Sequence, residues 1–475
     1  MRNAISTTLL LTLMFIFGVM FTNCETKAQE IEYREVSTNL EVIWEMRWGA
    51  DNYIWLTERP GRVQRVNSVT GEKSELLDIT DEVQSDPFSE RGLLGMAFSP
   101  TFAEDGYVYL AYNYDGPNGS TVKIVRYTYE NNKLDAPIII LDNIKGASNH
   151  DGCRLEFGGD GKLYITTGDA TNTDLAQSLM SVNGKVLRIN PDGTIPEDNP
   201  YYGTKSRSNE IWSFGHRNPQ GLVFHNGILY SSEHGPSSND ELNIIEKERN
   251  YGWPTVEGFC NKPSEMAFCE ENNVREPIAI FGEDYTLAVA GIDFYDVPST
   301  AENKINEWQN SILMTTLKTG ILMQIKLSED GKKVLSQKNI IENKYGRLRS
   351  ICISPDGRVF IGTSNRDGRG NIRENDDKII ELKIKNPESG INNDDKGDLY
   401  EIYPNPSNKV FNFKSNNNYV SIVSIYDILG NKLRQFETAP YTTKSIELDG
   451  INSGQYNVKI MSNGFITNKI INIIN

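Results

Sequence analysis

A tight turn and a short strand follow one another in Asp160-Gly161-Lys162-Leu163-Tyr164-Ile165-Thr166-Thr167. The same order of a polar turn and an aliphatic or aromatic run recurs five more times along the chain. The other copies begin at Asp51, Asp105, Asn226, Asn310 and Asp356. In most copies another apolar run precedes the turn, as residues 154–157 do here. Turns that join strands of alternating polarity are typical of antiparallel hairpins.

The six hairpin units predict an all-β fold, a six-bladed β-propeller with loop insertions over residues 30–385. Each unit takes roughly 60 residues, which leaves room for elaborated loops between strands. The longest interval runs from Asn226 to Asn310, so the largest insertion is expected there. No long segment carries apolar residues at helical spacing, and few helices are expected.

A second module follows the repeats. Residues 386–398 are polar and rich in turn formers, which predicts a linker. Residues 399–475 alternate short strands and turns, as in 420–426 and 455–460. This pattern over so short a stretch predicts a small C-terminal β-sandwich.

The first 28 residues predict a signal peptide. Arg2 gives a short positive start, residues 9–21 form an apolar run, and Thr26 and Ala28 are small residues before a cleavage site. A lipidated Cys24 is the alternative, although residues 21–23 match a lipoprotein cleavage box poorly. With a signal peptide, the mature protein is expected to leave the cytoplasm. No later uncharged apolar run is long enough to span a membrane, so no internal span is expected.

Charge and cysteine usage narrow the class further. The 475 residues include 48 Lys and Arg against 64 Asp and Glu, for a net charge of −16. This excess argues against nucleic acid as a partner, because phosphates need clustered cations. Export permits disulfides, and Cys260 and Cys269 lie in one loop-like stretch that favours a local bond. Cys153 and Cys352 lie in apolar strand-like runs, which favours buried free thiols.

Several polar residues occupy matching positions relative to the repeated turns. His150 lies ten residues before the turn at Asp160, and Asp169 lies nine residues after it. Equivalent positions in different blades meet around one end of the central channel of a propeller, so their side chains are expected to converge. The residues in this set are His150, Asp169, Arg217, Lys318, Arg347 and Arg349.

Such a set combines one histidine, one carboxylate and four cations. It could supply a general base with an orienting carboxylate, and cations for an anionic ligand. The structural alternative is that Asp169 caps a turn and that the arginines pair with nearby carboxylates. His225 belongs to a turn and is interpreted as structural.

A series of ordered motifs resembles the soluble pyrroloquinoline quinone (PQQ)-dependent glucose/sorbosone (aldose sugar) dehydrogenases, which are six-bladed propellers. The resemblance covers roughly residues 31–382, a length within one propeller. Its motifs are Arg91-Gly92-Leu93-Leu94-Gly95-Met96-Ala97-Phe98, Asn149-His150-Asp151-Gly152, Thr167-Gly168-Asp169, Gly215-His216-Arg217-Asn218-Pro219-Gln220-Gly221, Glu233-His234-Gly235-Pro236, Asn250-Tyr251-Gly252-Trp253-Pro254 and Ser354-Pro355-Asp356-Gly357.

The resemblance implies catalytic roles for three residues. His150 would take the proton from the anomeric hydroxyl of the sugar, and Asp169 would orient the imidazole and stabilise its charged form. Arg217 would polarise the quinone carbonyl oxygens and favour hydride transfer from sugar C1 to the cofactor C5. The implied reaction is oxidation of an aldose to its lactone, with electrons passed to an external acceptor.

The resemblance also implies binding roles. Asn218 matches a cofactor contact, and Lys318, Arg347 and Arg349 would hold the quinone carboxylates. Oxygen ligands suit Ca²⁺, which the Gly235 and Pro236 carbonyls would bind beside the quinone. The remaining positions, which match structural Ca²⁺ or sugar contacts in some members, are Glu241 and Tyr251 for the metal, and Glu90 and Asn149 for the substrate.

Two of these positions depart from the pattern of the family. Glu90 replaces a glutamine that contacts the sugar, and Asn149 replaces an aspartate used in glucose-specific members. The identity of the sugar therefore stays open at this point.

The C-terminal module resembles the sorting domain read by the type IX secretion system of Bacteroidota-type bacteria. Its matching motifs are Ile402-Tyr403-Pro404-Asn405-Pro406-Ser407, Val423-Ser424-Ile425-Tyr426-Asp427-Ile428-Leu429-Gly430 and Ile451-Asn452-Ser453-Gly454-Gln455-Tyr456. The resemblance implies secretion, or display on the outer cell surface, by way of the periplasm and the type IX machinery. The alternative is a carbohydrate-binding β-sandwich.

Two function hypotheses result. The first is an exported quinoprotein dehydrogenase, and the second is a non-catalytic propeller that binds sugar or a cell-surface partner. The complete set of cations for the quinone carboxylates favours the dehydrogenase. A Ca²⁺-dependent lactonase is a poorer third hypothesis, because its site relies on several carboxylates and this channel is rich in cations.

Overall fold

The structure is a computed structural model that describes residues 30–117, 119–385, 399–408, 410–416, 420–427, 431–447, 450–462 and 465–474. The predicted signal peptide (1–28), with Cys24, and the predicted linker (386–398) lie outside the described residues. Strands make up most of the regular structure, which confirms the predicted all-β class.

The described part of residues 30–385 forms six four-stranded antiparallel sheets, the blades of a propeller. Blades 1 to 3 contain β2 (Ile43–Trp48), β3 (Tyr53–Glu58), β4 (Arg62–Asn67) and β5 (Lys73–Asp78); β6 (Leu93–Phe98), β7 (Tyr107–Gly116), β8 (Gly119–Glu130) and β9 (Lys133–Lys145); and β10 (Gly152–Phe157), β11 (Leu163–Thr167), β12 (Lys185–Ile189) and β13 (Ile211–Phe214). Blades 4 to 6 contain β14 (Pro219–His225), β15 (Ile228–Glu233), β16 (Asp240–Ile245) and β17 (Ala279–Phe281); β18 (Val289–Tyr295), β19 (Ser311–Thr316), β20 (Ile321–Leu327) and β21 (Val334–Glu342); and β22 (Leu348–Ile353), β23 (Val359–Thr363), β24 (Ile379–Ile384) and β1 (Ile31–Ser37).

The first strand of each blade lies on the central channel. β2, β6, β10, β14, β18 and β22 each contact the next in this order, and β22 contacts β2. The ring is closed by β1, which pairs antiparallel with β24 from Ile31 opposite Ile384 to Glu35 opposite Ile380. Blade 6 therefore takes its outermost strand from the other end of the propeller.

The repeated turn-and-strand segments are the second strands of the blades: β3, β7, β11, β15, β19 and β23. The apolar runs before them are first strands, such as β10. The predicted six-bladed arrangement is therefore confirmed. Buried side chains such as Trp44, Tyr109 and Leu155 join blades 1, 2 and 3 in one apolar cluster. Each such side chain stabilises the fold by about 1.5–3 kcal/mol, which fixes the strand ends that carry the site.

Helices are few and short in the described residues, as predicted. They are α1 (Phe102–Asp105), α2 (Asp174–Gln177), α3 (Pro263–Glu271) and a 3₁₀ turn at Asn306–Trp308. α3 lies in the long insertion between β16 and β17, where Cys260 and Cys269 form the predicted disulfide. Cys153 and Cys352 are buried free thiols, also as predicted. Within the described ranges, none of the helices has the length and apolar character needed to cross a membrane.

The C-terminal module has seven strands in its described part. They are β25 (Tyr400–Asn408), β26 (Val410–Ser415), β27 (Ser421–Tyr426), β28 (Lys432–Thr438), β29 (Thr443–Glu447), β30 (Gly454–Ser462) and β31 (Phe465–Ile473), in the spatial order β28-β27-β30-β31-β25-β26-β29. One parallel pair, Ser407 with Ile473, joins the two halves of this order. Phe411 and Phe413 of one half and Val423 and Ile460 of the other share one buried core, as in a sandwich.

Candidate active site

Five of the predicted site residues lie on loops at one end of the propeller, and Arg349 lies in β22 next to one of them. His150 precedes β10, Arg217 precedes β14 and Arg347 precedes β22, whereas Asp169 follows β11 and Lys318 follows β19. The loop before a first strand and the loop after a second strand lie at the same end of an antiparallel blade. Equivalent loops from the six blades therefore surround one mouth of the channel.

His150 and Asp169 form a hydrogen-bonded pair. The distance from His150 Nδ1 to Asp169 Oδ1 is 2.8 Å. Asp169 is fully buried and also accepts from the Thr171 amide at 2.8 Å and from Trp253 Nε1 at 2.9 Å. An ionised Asp169 keeps the imidazole proton on Nδ1, which leaves the lone pair on Nε2. The His150 side chain is 19% exposed, so this nitrogen belongs to a ring that a ligand can reach.

The main chain of His150 is held in an uncommon conformation. Its φ is +66°, in the left-handed region. The His150 amide donates to Glu90 Oε2 at 3.0 Å, and its carbonyl accepts from the Ala170 amide at 3.1 Å. A Cβ on Gly168 would lie 1.9 Å from the His150 carbonyl oxygen, so only glycine fits there. These contacts fix the position of the imidazole.

The Glu90 carboxylate accepts hydrogen bonds from three protein groups. Its Oε2 accepts from the His150 amide and from Asn218 Nδ2 at 3.3 Å, and its Oε1 accepts from Arg369 Nη1 at 2.9 Å. Burial alone would raise the pKa of Glu90, but the hydrogen bond from His150 and nearby positive charge, including Arg369, lower it to about 2. Arg369 also donates to Asn149 Oδ1 at 2.6 Å. The two predicted substrate residues are thus joined by an arginine that the sequence analysis did not single out.

Arg217 and Asn218 are anchored through the buried carboxylate of Glu233. Both main-chain amides donate to Glu233 Oε1, that of Asn218 at 3.1 Å. The Arg217 guanidinium lies over the Trp253 ring, 5.4 Å from its centroid. Burial lowers the pKa of Arg217, and its Nε has no hydrogen-bond partner among the described residues. A buried donor of this kind is suited to an oxygen acceptor on a ligand.

Three cations of blades 5 and 6 form one cluster, and two of them share one carboxylate. Arg347 Nε lies 2.7 Å and Arg349 Nη2 3.4 Å from Asp367 Oδ2. Burial lowers the pKa of Arg349 to about 10, and it also bonds Gln220 Oε1 at 3.1 Å. Lys318 is exposed and makes no ion pair within the part of the chain that the structure describes. Arg347 Nη1 donates to the carbonyl of Leu317, the residue before Lys318, at 3.3 Å. The cluster carries excess positive charge.

The four predicted metal residues line one small cavity. Gly235, Pro236, Glu241 and Tyr251 are all in its wall, together with Glu233. Burial, and then the neighbouring Glu233, raise the pKa of Glu241 to about 8. The Tyr251 hydroxyl already donates to the Ile244 carbonyl at 2.5 Å and accepts from the Glu246 amide at 2.9 Å.

No group of three or more His, Cys, Asp or Glu side chains is arranged for a metal ion within the described ranges. The cavity does offer oxygen donors of the kind that Ca²⁺ binds, among them the carboxylates of Glu233 and Glu241. The metal assignment of Gly235, Pro236, Glu241 and Tyr251 stays a prediction.

Sequence reasoning missed several supporting residues. Arg59 is buried and donates to the Ser89 carbonyl at 2.7 Å, which holds the loop that carries Glu90. Lys185 is fully buried and donates to three backbone carbonyls of the loop after Asp169. The others are Glu233, Trp253, Asp367 and Arg369. Asp367 had a usable signal, because it lies eleven residues after the turn at Asp356, two beyond the position that Asp169 occupies in its own blade.

The fold and the site together define a class: a six-bladed β-propeller enzyme with a histidine–carboxylate pair beside a cationic pocket at one channel mouth. The family model described as Glucose / Sorbosone dehydrogenase matches residues 40–374. The chain belongs to this family of oxidoreductases, which confirms the predicted family and enzyme class.

Individual relatives agree with this assignment. Quinoprotein glucose dehydrogenase B of Acinetobacter calcoaceticus is 29% identical over 444 residues, covering 77% of this chain and 91% of the relative. An aldose sugar dehydrogenase of Escherichia coli is 29% identical over 351 residues, with 70% and 91% covered. The PQQ-bound structure of an aldose sugar dehydrogenase from Streptomyces coelicolor is 31% identical with a TM-score of 0.63, and the match covers 75% of this chain and 99% of that one.

The C-terminal module has a family match of its own. The model described as Secretion system C-terminal sorting domain matches residues 401–474. The chain therefore carries a sorting domain for type IX secretion to the cell surface or the exterior, as predicted.

Proposed function

We propose that this chain oxidises an aldose at C1 to its lactone, with PQQ as the electron acceptor and His150 as the general base. The observation that carries the proposal is the His150–Asp169 pair at 2.8 Å, on the same channel mouth as a cationic pocket with one carboxylate. Relatives that are quinoprotein or aldose sugar dehydrogenases, one of them in a PQQ-bound structure, support the choice of cofactor.

The donor set fits the quinone. PQQ has three carboxylates, and Lys318, Arg347 and Arg349 offer three cations against the single charge of Asp367. Arg217 Nε, which has no hydrogen-bond partner among the described residues, fits a carbonyl oxygen, and Asn218 is the next residue in the chain. When bound, PQQ supplies the acceptor for the two electrons and the hydrogen that leave C1 as hydride.

His150 moves the proton of the reaction. Its Nε2 takes the proton of the anomeric hydroxyl while the C1–H bond breaks and the C1–O bond becomes a carbonyl. One proton remains on the imidazole and one hydride leaves the sugar, so the product is the lactone. Asp169 accepts from Nδ1 throughout and stabilises the imidazolium that forms.

Calcium belongs to the same proposal. The carbonyls of Gly235 and Pro236 would hold it, and Glu241 and Tyr251 would belong to a structural site on the cavity that all four line. The ion would withdraw electron density from the cofactor as a Lewis acid. A nearby cation would also compensate the charge of Glu233 and Glu241, which line the same cavity.

Reconstitution tests the proposal. The chain is incubated with PQQ and Ca²⁺ and titrated with a panel of aldoses, while reduction of an artificial dye acceptor is followed. We expect saturable turnover that a Ca²⁺ chelator removes and that added Ca²⁺ restores. Failure to bind PQQ would instead favour the non-catalytic propeller, which binds a sugar or a surface partner.

Replacing Lys318 with alanine is expected to weaken PQQ binding rather than the chemical step. Loss of one charged hydrogen bond to a carboxylate should raise the Kd of PQQ about tenfold or more. The value of kcat at saturating PQQ should change less than twofold, because the hydrogen bonds described for the His150 and Asp169 side chains do not involve Lys318. Absorbance titration gives the Kd, and dye reduction gives kcat.

Lys332→Ala is the matched control, since Lys332 is an exposed lysine of the β20–β21 turn in the same blade, at the other end. Its Kd for PQQ should equal that of the unaltered chain. A Lys318→Ala variant with unchanged Kd and lowered kcat would contradict the assigned role.

A further inference from the structure

A second histidine–carboxylate pair lies in blade 4, in the same register as the pair of the proposed active site. His216 lies ten residues before the repeated turn of its blade, as His150 does in blade 3. The distance from His216 Nδ1 to Glu233 Oε2 is 3.0 Å, compared with 2.8 Å between His150 and Asp169. The blade repeat thus places the same two groups in neighbouring blades, and the function proposed above uses only one of these pairs.

The two imidazoles differ in the surroundings of their second nitrogen. The His150 side chain is 19% exposed, whereas the His216 side chain is fully buried and its Nε2 lies 2.9 Å from Ser213 Oγ. An ionised carboxylate can only accept, so Nδ1 of His216 carries the proton and the Ser213 hydroxyl can donate to Nε2. Both ring nitrogens of His216 are therefore bonded to buried protein groups, and this residue can act only through its neighbours.

Glu233 connects His216 to the proposed cofactor residues. Its Oε2 accepts from His216, while its Oε1 accepts from the main-chain amides of Arg217 and Asn218. The Arg217 carbonyl in turn accepts from the Asp169 amide at 2.8 Å. One buried carboxylate thus holds the segment that carries the proposed quinone-polarising arginine, and that segment is bonded to the partner of the proposed base.

The N–H of His216 fixes the orientation of this carboxylate. His216 is the one donor described for Glu233 Oε2, so its loss would leave a buried, charged oxygen without a partner among the described residues. Such an oxygen is costly, and the carboxylate would turn toward another donor. The Arg217 guanidinium is the nearby cation, because the charge of Glu233 already opposes the lowering of the pKa of Arg217 by burial.

We propose that His216 is a positioning residue for the oxidation, and that its Nδ1–H holds Glu233 in the orientation that fixes Arg217 and Asn218. The inference rests on the proposed function, because those two residues act on the quinone of the same site. Packing is the competing role for His216, since the Tyr251 ring stacks on the imidazole with centroids 4.4 Å apart.

Two substitutions separate the hydrogen bond from the packing. His216→Phe keeps a ring against Tyr251 and loses the N–H, whereas His216→Asn loses the ring and can keep an N–H near the place of Nδ1. At saturating PQQ and Ca²⁺, His216→Phe should lower kcat about tenfold or more, the size of one hydrogen bond to a charged group, and His216→Asn should restore most of it. The KM of the aldose should stay within about twofold in both variants, because the buried imidazole cannot reach the sugar. Faster turnover in His216→Phe than in His216→Asn would overturn the proposal in favour of packing.

Tyr230→Phe is the matched control for a loss of stability. Tyr230 is a buried side chain of the same blade, and its hydroxyl donates to the Gly331 carbonyl at 2.8 Å. The substitution also removes one buried hydrogen bond and should lower Tm, but it should leave kcat and the Kd of PQQ unchanged. A fall in kcat as large as that of His216→Phe would show that lost stability alone accounts for the effect.

NMR of the chain without cofactor separates failure of this inference from failure of the proposed function. The Arg217 guanidinium lies over the Trp253 ring, 5.4 Å from its centroid, so the indole N–H resonance of Trp253 reports on the guanidinium. In ¹⁵N-tryptophan-labelled chain, this resonance should shift in His216→Phe and stay near its original position in His216→Asn and Tyr230→Phe. If no aldose is oxidised but this pattern is seen, the dehydrogenase proposal fails and the positioning role stands. If aldoses are oxidised but His216→Phe leaves the resonance unmoved, the positioning role fails alone.

Discussion

The variant His150→Ala is expected to oxidise aldoses about 10²–10⁴ times more slowly than the unaltered chain at saturating PQQ, because it loses the general base. Binding of PQQ should change little. The described contacts of His150 are with Asp169, Glu90 and Ala170, and none of them is with the cation cluster of Arg347 and Arg349. Steady-state dye reduction gives kcat, and absorbance titration gives the Kd of PQQ.

His225→Gln provides the control for this variant. The His225 ring stacks on Phe294, with centroids 3.6 Å apart, and its Nε2 lies 3.3 Å from Asp296. The substitution should lower thermal stability slightly and leave kcat unchanged. Equal losses of PQQ affinity and turnover in His150→Ala would show that His150 holds the cofactor site together rather than acting as the base.

The propeller could be predicted because its signals are local. Each blade repeats a turn and a strand within a few residues, so periodicity alone identifies β11 and its five counterparts. Closure of the ring could not be predicted in the same way. The pairing of Ile31 with Ile384 joins positions far apart in sequence, and nothing near Ile31 specifies its partner.

The residues of the site likewise fall into those with a local sequence signal and those without one. Counting from the turns placed His150, Asp169 and Arg217 at one channel mouth, because blade geometry repeats. Contacts between loops could not be predicted in this way, because the loops differ in length from blade to blade. The bond from Trp253 to Asp169 depends on the long insertion after β16, and the bond from Arg369 to Glu90 joins blade 6 to the loop between blades 1 and 2.

Glu90 shows that a position matched to a family motif can have a structural role that the motif does not indicate. The sequence comparison assigned it to the substrate, and that role is still a prediction. Its oxygens already accept from His150, Asn218 and Arg369. A carboxylate with three protein donors stays ionised and rigid, so Glu90 positions the His150 main chain whether or not it also touches the sugar.

Asp169→Asn keeps the size of the side chain nearly unchanged. It is expected to lower kcat about as far as loss of the base does, by a factor of about 10²–10⁴. Asp169 accepts three N–H groups, from His150 on Oδ1, Thr171 on Oδ1 and Trp253 on Oδ2. An amide has one oxygen, so its NH₂ must face either Trp253 or the His150 side. Facing His150, it would move the imidazole proton to Nε2 and remove the lone pair that the base needs.

The double variant His150→Ala/Asp169→Asn decides whether Asp169 acts through the imidazole. If it does, kcat of the double variant should lie within about threefold of that of His150→Ala alone, because residues that act as a unit are not additive. Multiplied losses would mean that Asp169 contributes independently, for example by holding Trp253 and the Arg217 guanidinium that lies over it. Asp192→Asn, on the exposed turn after β12, is the control and should leave both kcat and PQQ affinity unchanged.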